Sequence, residues 1–347
     1  MADYYQSIKN TVLQNKKRSL LIVLILFVII CLVAVFVRIT RSKTANTQET
    51  ELLIYPSDNI ETIKDKLKQE GVIKQGDISF TAFADILKYS DNIKTGHYII
   101  KPNTTMINLV RKLRTGKQQP VRLVINNART ADDFAKKITE KLMITPQDLT
   151  AEFDKKKMDY PNDIFLYIIP DTYEVFWNTG ADNLCDRLWK ESSKFWEKNK
   201  EKLKLTGLTK KEVIILASIV DEETNNKEEM PVIAGVYINR LRKGMLLQAD
   251  PTVKFAVGDF SLRRITSRHL HVQSPFNTYK YKGLPPAPIC LPDKDAINAV
   301  LKYKKHDYLY FCAKEDFSGS HNFASTHEQH SINANKYRQA LNVRGIK

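Results

Sequence analysis

The sequence is poor in the cysteine and histidine patterns that announce metal or redox chemistry. Its four cysteines, Cys31, Cys185, Cys290 and Cys312, show no CxxC and no paired spacing, so a disulfide framework is not indicated. No HExxH is present. His269 with His271, and His321, His327 and His330, are close in sequence but have no cysteine at zinc-finger spacing, so no metal and no cofactor is expected. GxSxG is also missing, and Ser218, inside LASIV, reads as a packed residue of an apolar helix and not as a nucleophile. A formal charge of +15 could suit nucleic acid. Yet no basic helix or ribonucleoprotein-like aromatic motif accompanies the scattered lysines, which favours anionic lipid and anionic wall polymer as partners over nucleic acid.

Long apolar runs are absent but for one. Leu20 to Val37 contains no charge, and as a helix it would be about 27 Å long, close to the hydrocarbon thickness of a bilayer. It ends in Val35-Phe36-Val37-Arg38 and not in the small residues of a cleavage site, so it reads as a retained anchor in the lipid bilayer. Lys9, Lys16, Lys17 and Arg18 precede it, and Arg38, Arg41 and Lys43 come after, which leans toward an N-terminus inside. The chain beyond Thr44 is long enough for two domains.

After a polar linker, Arg41 to Glu51, a weak repeat appears. LLIYPSDNIETIKDKLKQEGV and HYIIKPNTTMINLVRKLRTGK share the order strand, proline turn, helix and glycine stop. The expected helix caps are Asp58, with Glu61 three residues on, and Thr104 or Thr105. A third copy would use Val121 to Ile125 as its strand and Thr130 as its cap. Thr145 to Pro161 reads as a charged, irregular connection with a change of pattern beyond it. There Leu184 to Lys202 reads as an amphipathic helix, and Thr209 caps KEVIILASIVDEE, apolar nearly all round and therefore buried. The next helix is capped by Asn225 or Asn226 and tolerates Pro231 only in its first turn. From Gln248 onward the chain reads as loops, then a helix near Asp293 to Tyr303 and a strand at Tyr308 to Ala313. The fold class expected is α+β.

The acidic triplet Asp221-Glu222-Glu223 ends the buried helix, where the macrodipole and mutual repulsion both raise a carboxyl pKa. Glu223 follows Leu216, Ile219 and Val220 at helical spacing and so points inward. A carboxyl kept protonated there can act as a general acid. The bland alternative is a solvated helix end paired with Lys227. The loops LLQADPTV, PFNTYKYKGLPPAPI and FSGSHNF present Gln, Asp, Asn, Thr and Tyr beside prolines, which suits sugar hydroxyls and acetamido groups or, equally, ordinary turn chemistry.

Four motifs in order, LASIVDEET, VYINRLRKGMLLQADPTVKFAVG, FNTYKYKGLPPAPI and YLYFCAKEDFSGSHNFASTHEQH, with IIPDTYEVFW before them, resemble the endolytic murein transglycosylases of the MltG or YceG-like family. The resemblance implies a tail at 1–18, a transmembrane helix at 19–38, a linker at 39–50, a LysM-like αβ module at 51–120, and a transglycosylase region at 121–347. It places the catalytic glutamate on Glu223 and the first acidic position of the motif on Asp221. Gln248, Asp250, Asn277, Thr278 and Tyr279, with Asp221, become the expected substrate-binding residues. The implied reaction cleaves nascent glycan strands of peptidoglycan between N-acetylmuramic acid and N-acetylglucosamine, leaving a 1,6-anhydro end. The implied location is the inner membrane, single-pass, with the catalytic domain outside and proteins of a wall-synthesis complex as further partners. Two departures stand out: Phe165-Leu166-Tyr167-Ile168-Ile169 lacks an acidic residue and glycine common in the family before the PDTY motif, and Asn103 stands where glycine is frequent. A muramidase using Glu223, Asp250 and water, and a non-catalytic wall-binding scaffold, are the alternatives.

Overall fold

The computed structural model describes residues 2–262 and 264–344, with residues 2–17 and 19 described by backbone alone. The side chains of Lys9, Lys16 and Lys17, which enter the charge balance around the apolar run, lie outside the described residues. The chain divides into two units, Met1–Pro120 with Phe176–Asn178, and Val121–Val175 with Thr179–Lys347.

The first unit begins with helix α1, Ala2–Thr40. Its stretch Leu20–Thr40 has a mean hydropathy of 3.8 and no buried apolar window, which fits a single-pass membrane anchor. Then come β1 (Thr50–Ile54), α2 (Ile60–Gln69), α3 (Ser79–Ile86), β2 (Gly96–Ile100) and α4 (Met106–Arg114). The strands of the two repeat copies pair with each other, antiparallel, with Leu52 opposite Tyr98. Asn59, not Asp58, caps α2, in a reciprocal capping box with Thr62. Asp58 instead accepts the Tyr55 N–H at 2.7 Å and pairs with Lys66 at 2.5 Å. Asn103 takes the left-handed conformation, φ 57°, which asparagine tolerates better than most residues.

The expected linker is bound to this unit. The Ser42 carbonyl accepts Met106 N–H at 2.9 Å, Thr44 N–H reaches Thr104 O at 2.8 Å, and the Ser42 and Ser79 hydroxyls lie 2.7 Å apart. Ile39, near the end of α1, packs against the core of Ile54, Ile63, Leu67, Tyr98 and Leu109.

The second unit holds β3 (Val121–Ile125), α5 (Ala131–Thr139), α6 (Pro146–Asp154), β4 (Asp171–Val175), α7 (Ala181–Lys198), α8 (Lys200–Thr206), α9 (Lys210–Glu223), α10 (Met230–Arg242), α11 (Asp250–Val257), α12 (Lys294–Leu301), β5 (Tyr310–Ala313), β6 (His321–Ala324) and α13 (His327–Val343). Thr130 caps α5 through Asp133 N–H. The strand of this third copy, β3, pairs with the distant β4, Leu123 opposite Tyr173. The first part of the stretch 145–161 is helical, since Thr145 and Asp148 form a capping box and Pro146 sits at the start of α6, and only the residues between Asp154 and Pro161 are irregular. Pro231 lies in the first turn of α10, which starts at Met230, later than the Asn225 or Asn226 cap would place it. The second unit is built around α9, whose residues Val213 to Val220 are all buried. Against it pack α10 and α12, contributing Ile233, Ala234, Tyr237, Ile297 and Val300.

Candidate functional site

The site starts from the way α9 begins and ends. Thr209 and Glu212 form a reciprocal capping box at its start. At its end Thr224 is extended, φ −154°, so the helix stops just after the acidic triplet. Successive helical residues are rotated by about 100°, so three neighbouring carboxylates must face three directions. Asp221 turns to α12 and accepts the Asp293 N–H at 3.0 Å. Glu222 faces Arg129 at 3.4 Å. Glu223 turns to α10, where the Tyr237 hydroxyl donates to its Oε1 at 2.7 Å. Lys227, the alternative partner of the triplet, pairs with Asp295.

These directions separate the roles. Glu223 is half-buried as a residue, with its carboxyl ringed by protein, and desolvation pushes its pKa up to about 7. Burial is the largest cause; the Tyr237 hydrogen bond opposes it, the Asp250 charge adds to it, and the Arg240 charge opposes it. Repulsion by Glu222, its neighbour in sequence, comes last. Asp221 is also raised, to about 6, again chiefly by burial, but it is committed to the start of α12. A cavity of about 470 Å³ opens at this helix end, lined by Asp221 to Asn226 and by Ser318 and Gly319 of the FSGSHNF loop. Phe317, beside it, holds a positive φ of 60°, a strained backbone of the kind that collects at binding sites.

The other expected site residues divide into two groups. Gln248 and Asp250 are exposed, and Tyr279 is half-buried with its hydroxyl 2.6 Å from Asp250 Oδ1. Gln248 also has a positive φ, 52°, with its N–H on Thr278 O at 3.1 Å. Asn277 and Thr278, by contrast, are 0% and 1% exposed. The Asn277 amide donates to Leu270 O and Val272 O and accepts from Tyr279 N–H; the Thr278 hydroxyl accepts from Ala249 N–H and bonds Thr252. Neither has a polar group left for a ligand, so they brace the loops that carry Gln248 and Tyr279. Ser218 is likewise buried, donating to Ile215 O and accepting Ile289 N–H.

Two residues of the site are not apparent from the sequence. Tyr237 and Arg240 lie three apart on α10, and Arg240, 7% exposed, ties Leu309 O and Leu247 O at 2.6 Å each. A tyrosine and an arginine on a helix otherwise rich in buried apolar residues were the available signal. His321, of the loop motif, is held by Glu229 at 2.8 Å.

The site is thus a mixed α+β unit in which the end of a buried helix sets carboxyls of raised pKa beside a polar cavity. The model of the YceG-like family matches residues 52–336, most of the chain, and the chain belongs to that family. It is 28% identical over 307 residues to an endolytic murein transglycosylase of Bacillus subtilis (strain 168), covering 82% of this chain and 83% of that one. An endolytic murein transglycosylase of Streptococcus pneumoniae is also 28% identical, over 79% of this chain but 56% of the relative. A crystal structure of a yceG-like protein from Listeria monocytogenes superimposes with a TM-score of 0.50 at 28% identity, over 83% of this chain and 99% of that one. The fold is YceG-like.

Proposed function

We propose that the chain is a membrane-anchored lytic transglycosylase that cuts peptidoglycan glycan strands internally, with Glu223 as its acid and then its base. The observation that carries this reading is the Glu223 carboxyl, pushed up to about 7 beside an open cavity. At neutral pH a large share of it is protonated and can give its proton to the glycosidic oxygen. The bond from C1 of N-acetylmuramic acid to that oxygen breaks, and the electron pair leaves with the oxygen as a hydroxyl of N-acetylglucosamine. The C6 hydroxyl of the same muramyl sugar then bonds C1, and its proton returns to Glu223. No water is consumed, so a single carboxyl suffices. The transglycosylase relatives and the exposed Gln248 and Asp250 support the same reading.

The single span supports a catalytic unit outside the membrane with the N-terminus inside, because murein lies outside. The paired repeat copies of residues 51–120 support a LysM-like glycan-holding role for the first unit. The decisive experiment is digestion of purified wall by intact and Glu223→Gln protein with mass spectrometry of the products. The intact protein should release anhydro ends and the variant should be slower by about 10²- to 10⁴-fold. Release at the normal rate by the variant overturns the assignment.

A further inference from the structure

The second unit carries another cleft, about 360 Å³, where the end of α7, the start of α8 and the start of α12 meet β4. The half-buried Phe195 gives it apolar surface over the buried Ile169, and Lys194, Lys198, Lys202 and Lys294 line it. Lys194 and Lys198 lie four apart on α7 and share a face, and Lys202 follows on α8, beyond the break at Asn199. Two carboxylates answer the four cations: Glu191 pairs with Lys194 at 2.8 Å and Asp171 with Lys294 at 2.6 Å. Lys198 and Lys202 have no carboxylate partner among the described residues, so the cleft is net positive.

Lys202 is also held in place. Its Nζ donates to Asn199 Oδ1 at 2.8 Å, while Asn199, 5% exposed, is itself fixed by donating to Phe195 O at 2.9 Å. A buried amide thus orders the ammonium before any ligand arrives, which removes part of the entropy cost of binding.

We propose that this cleft binds the carboxylate-bearing end, with its methyl side chains, of a short peptide of the kind attached to peptidoglycan strands, an inference that rests on the proposed transglycosylase function. The ammonium groups without a carboxylate partner match a carboxylate, and Phe195 matches methyl-bearing side chains. A polymer of phosphates would leave that apolar surface unused. The cleft adjoins the acid through α12: Asp221, two residues before Glu223, accepts the N–H of Asp293, and the next residue is Lys294. A peptide gains roughly 3.3–3.6 Å per residue when extended, so its end can lie well away from the sugar that carries it. The cleft therefore selects strands that still carry peptides.

The test uses full-length protein in lipid–detergent micelles, with Lys198→Ala and Lys202→Ala combined. On peptide-bearing strands KM should rise by about five- to tenfold with kcat retained, and on strands stripped by an amidase the variant should match the intact protein. Arginine at both positions should restore KM. An equal rise on both substrates, or none on either, overturns the proposal. Calorimetry with the free murein peptide and with polyglycerol phosphate supplies the second arm: the peptide should bind the intact protein and lose affinity in the variant. Preferential binding of the phosphate polymer overturns the carboxylate assignment. Peptide binding without cleavage of either strand would remove the transglycosylase reading and leave the cleft standing, whereas normal cleavage without peptide binding would do the reverse.

Discussion

The Tyr237 hydroxyl donates a 2.7 Å hydrogen bond to Glu223 Oε1, and that bond works against the burial that raises the same carboxyl to about 7. A donor to a carboxylate favours its charged form. Tyr237→Phe removes the donor and keeps the ring that packs edge-on against Phe311 at 5.9 Å. The Glu223 pKa should then climb further. In the proposed reaction the protonated form acts first, so the alkaline limb of the kcat/KM profile should move up by about half a pH unit to one unit. A limb that stays put, measured on purified wall strands, would show that another group sets it.

Burial of Glu223 also ties stability to pH. Its folded pKa, about 7, lies above the ordinary 4.5, so between those values the folded protein holds the proton that the unfolded chain has released. This contribution is fully present below about pH 4.5, is lost as pH rises to about 7, and is constant above. Its size is at most about 3 kcal/mol. Glu223→Gln cannot ionise and still offers an oxygen to Tyr237. The variant should therefore unfold at higher temperature than the intact protein at pH 8 and match it near pH 4, while cleaving strands about 10²- to 10⁴-fold more slowly. A variant less stable at pH 8 would instead favour a structural Glu223, as the scaffold alternative requires.

Much of the site was legible because it follows from local rules. Apolar residues from Val213 to Val220, capped by Thr209 and ended by three acids, specify a buried helix with carboxyls at its end, and that is α9. All three acids line the cavity, and which element each of them is tied to depended on partners far away in sequence: Tyr237, Arg129 and Asp293. The same limit applies to Asn277 and Thr278. Their residue types suit sugar binding and turn bracing equally, and only their burial separates the two. In the fold, helix α11 was missed because Pro251 and the turn residues before it read as loop, although proline is well tolerated in the first helical turn. The hydrogen bonds of the segment after α1 were hidden for a similar reason: its residues bond to Thr104, Met106 and Ser79, none of them near in sequence.

Asn277 gives the clearest test of bracing against binding. Its amide makes three hydrogen bonds inside the protein with no exposed surface. Truncation leaves buried carbonyls without donors, at a cost of about 1–3 kcal/mol for each group left unpaired. Asn277→Ala should lower the melting temperature by several degrees. At a temperature where the variant is folded, KM should change less than stability does. A large KM effect with an unchanged melting temperature would return Asn277 to the substrate.

Asp250 decides between the lytic reaction and hydrolysis. It is exposed, at the start of α11, with Tyr279 donating to it at 2.6 Å, and its charge helps to keep the Glu223 proton in place. A muramidase would need it as nucleophile or as base for water, and Asp250→Asn would then abolish turnover by orders of magnitude. In the lytic reaction the attacking group is the sugar's own C6 hydroxyl, so Asp250 only tunes the acid. Asp250→Asn should leave turnover within about one to two powers of ten. It should also lower the Glu223 pKa, because a like charge nearby has gone, and shift the alkaline limb toward acid. The products settle the matter independently of rate: anhydro ends are lighter by one water than hydrolysed ends, and both intact and Asp250→Asn protein should yield only the lighter species.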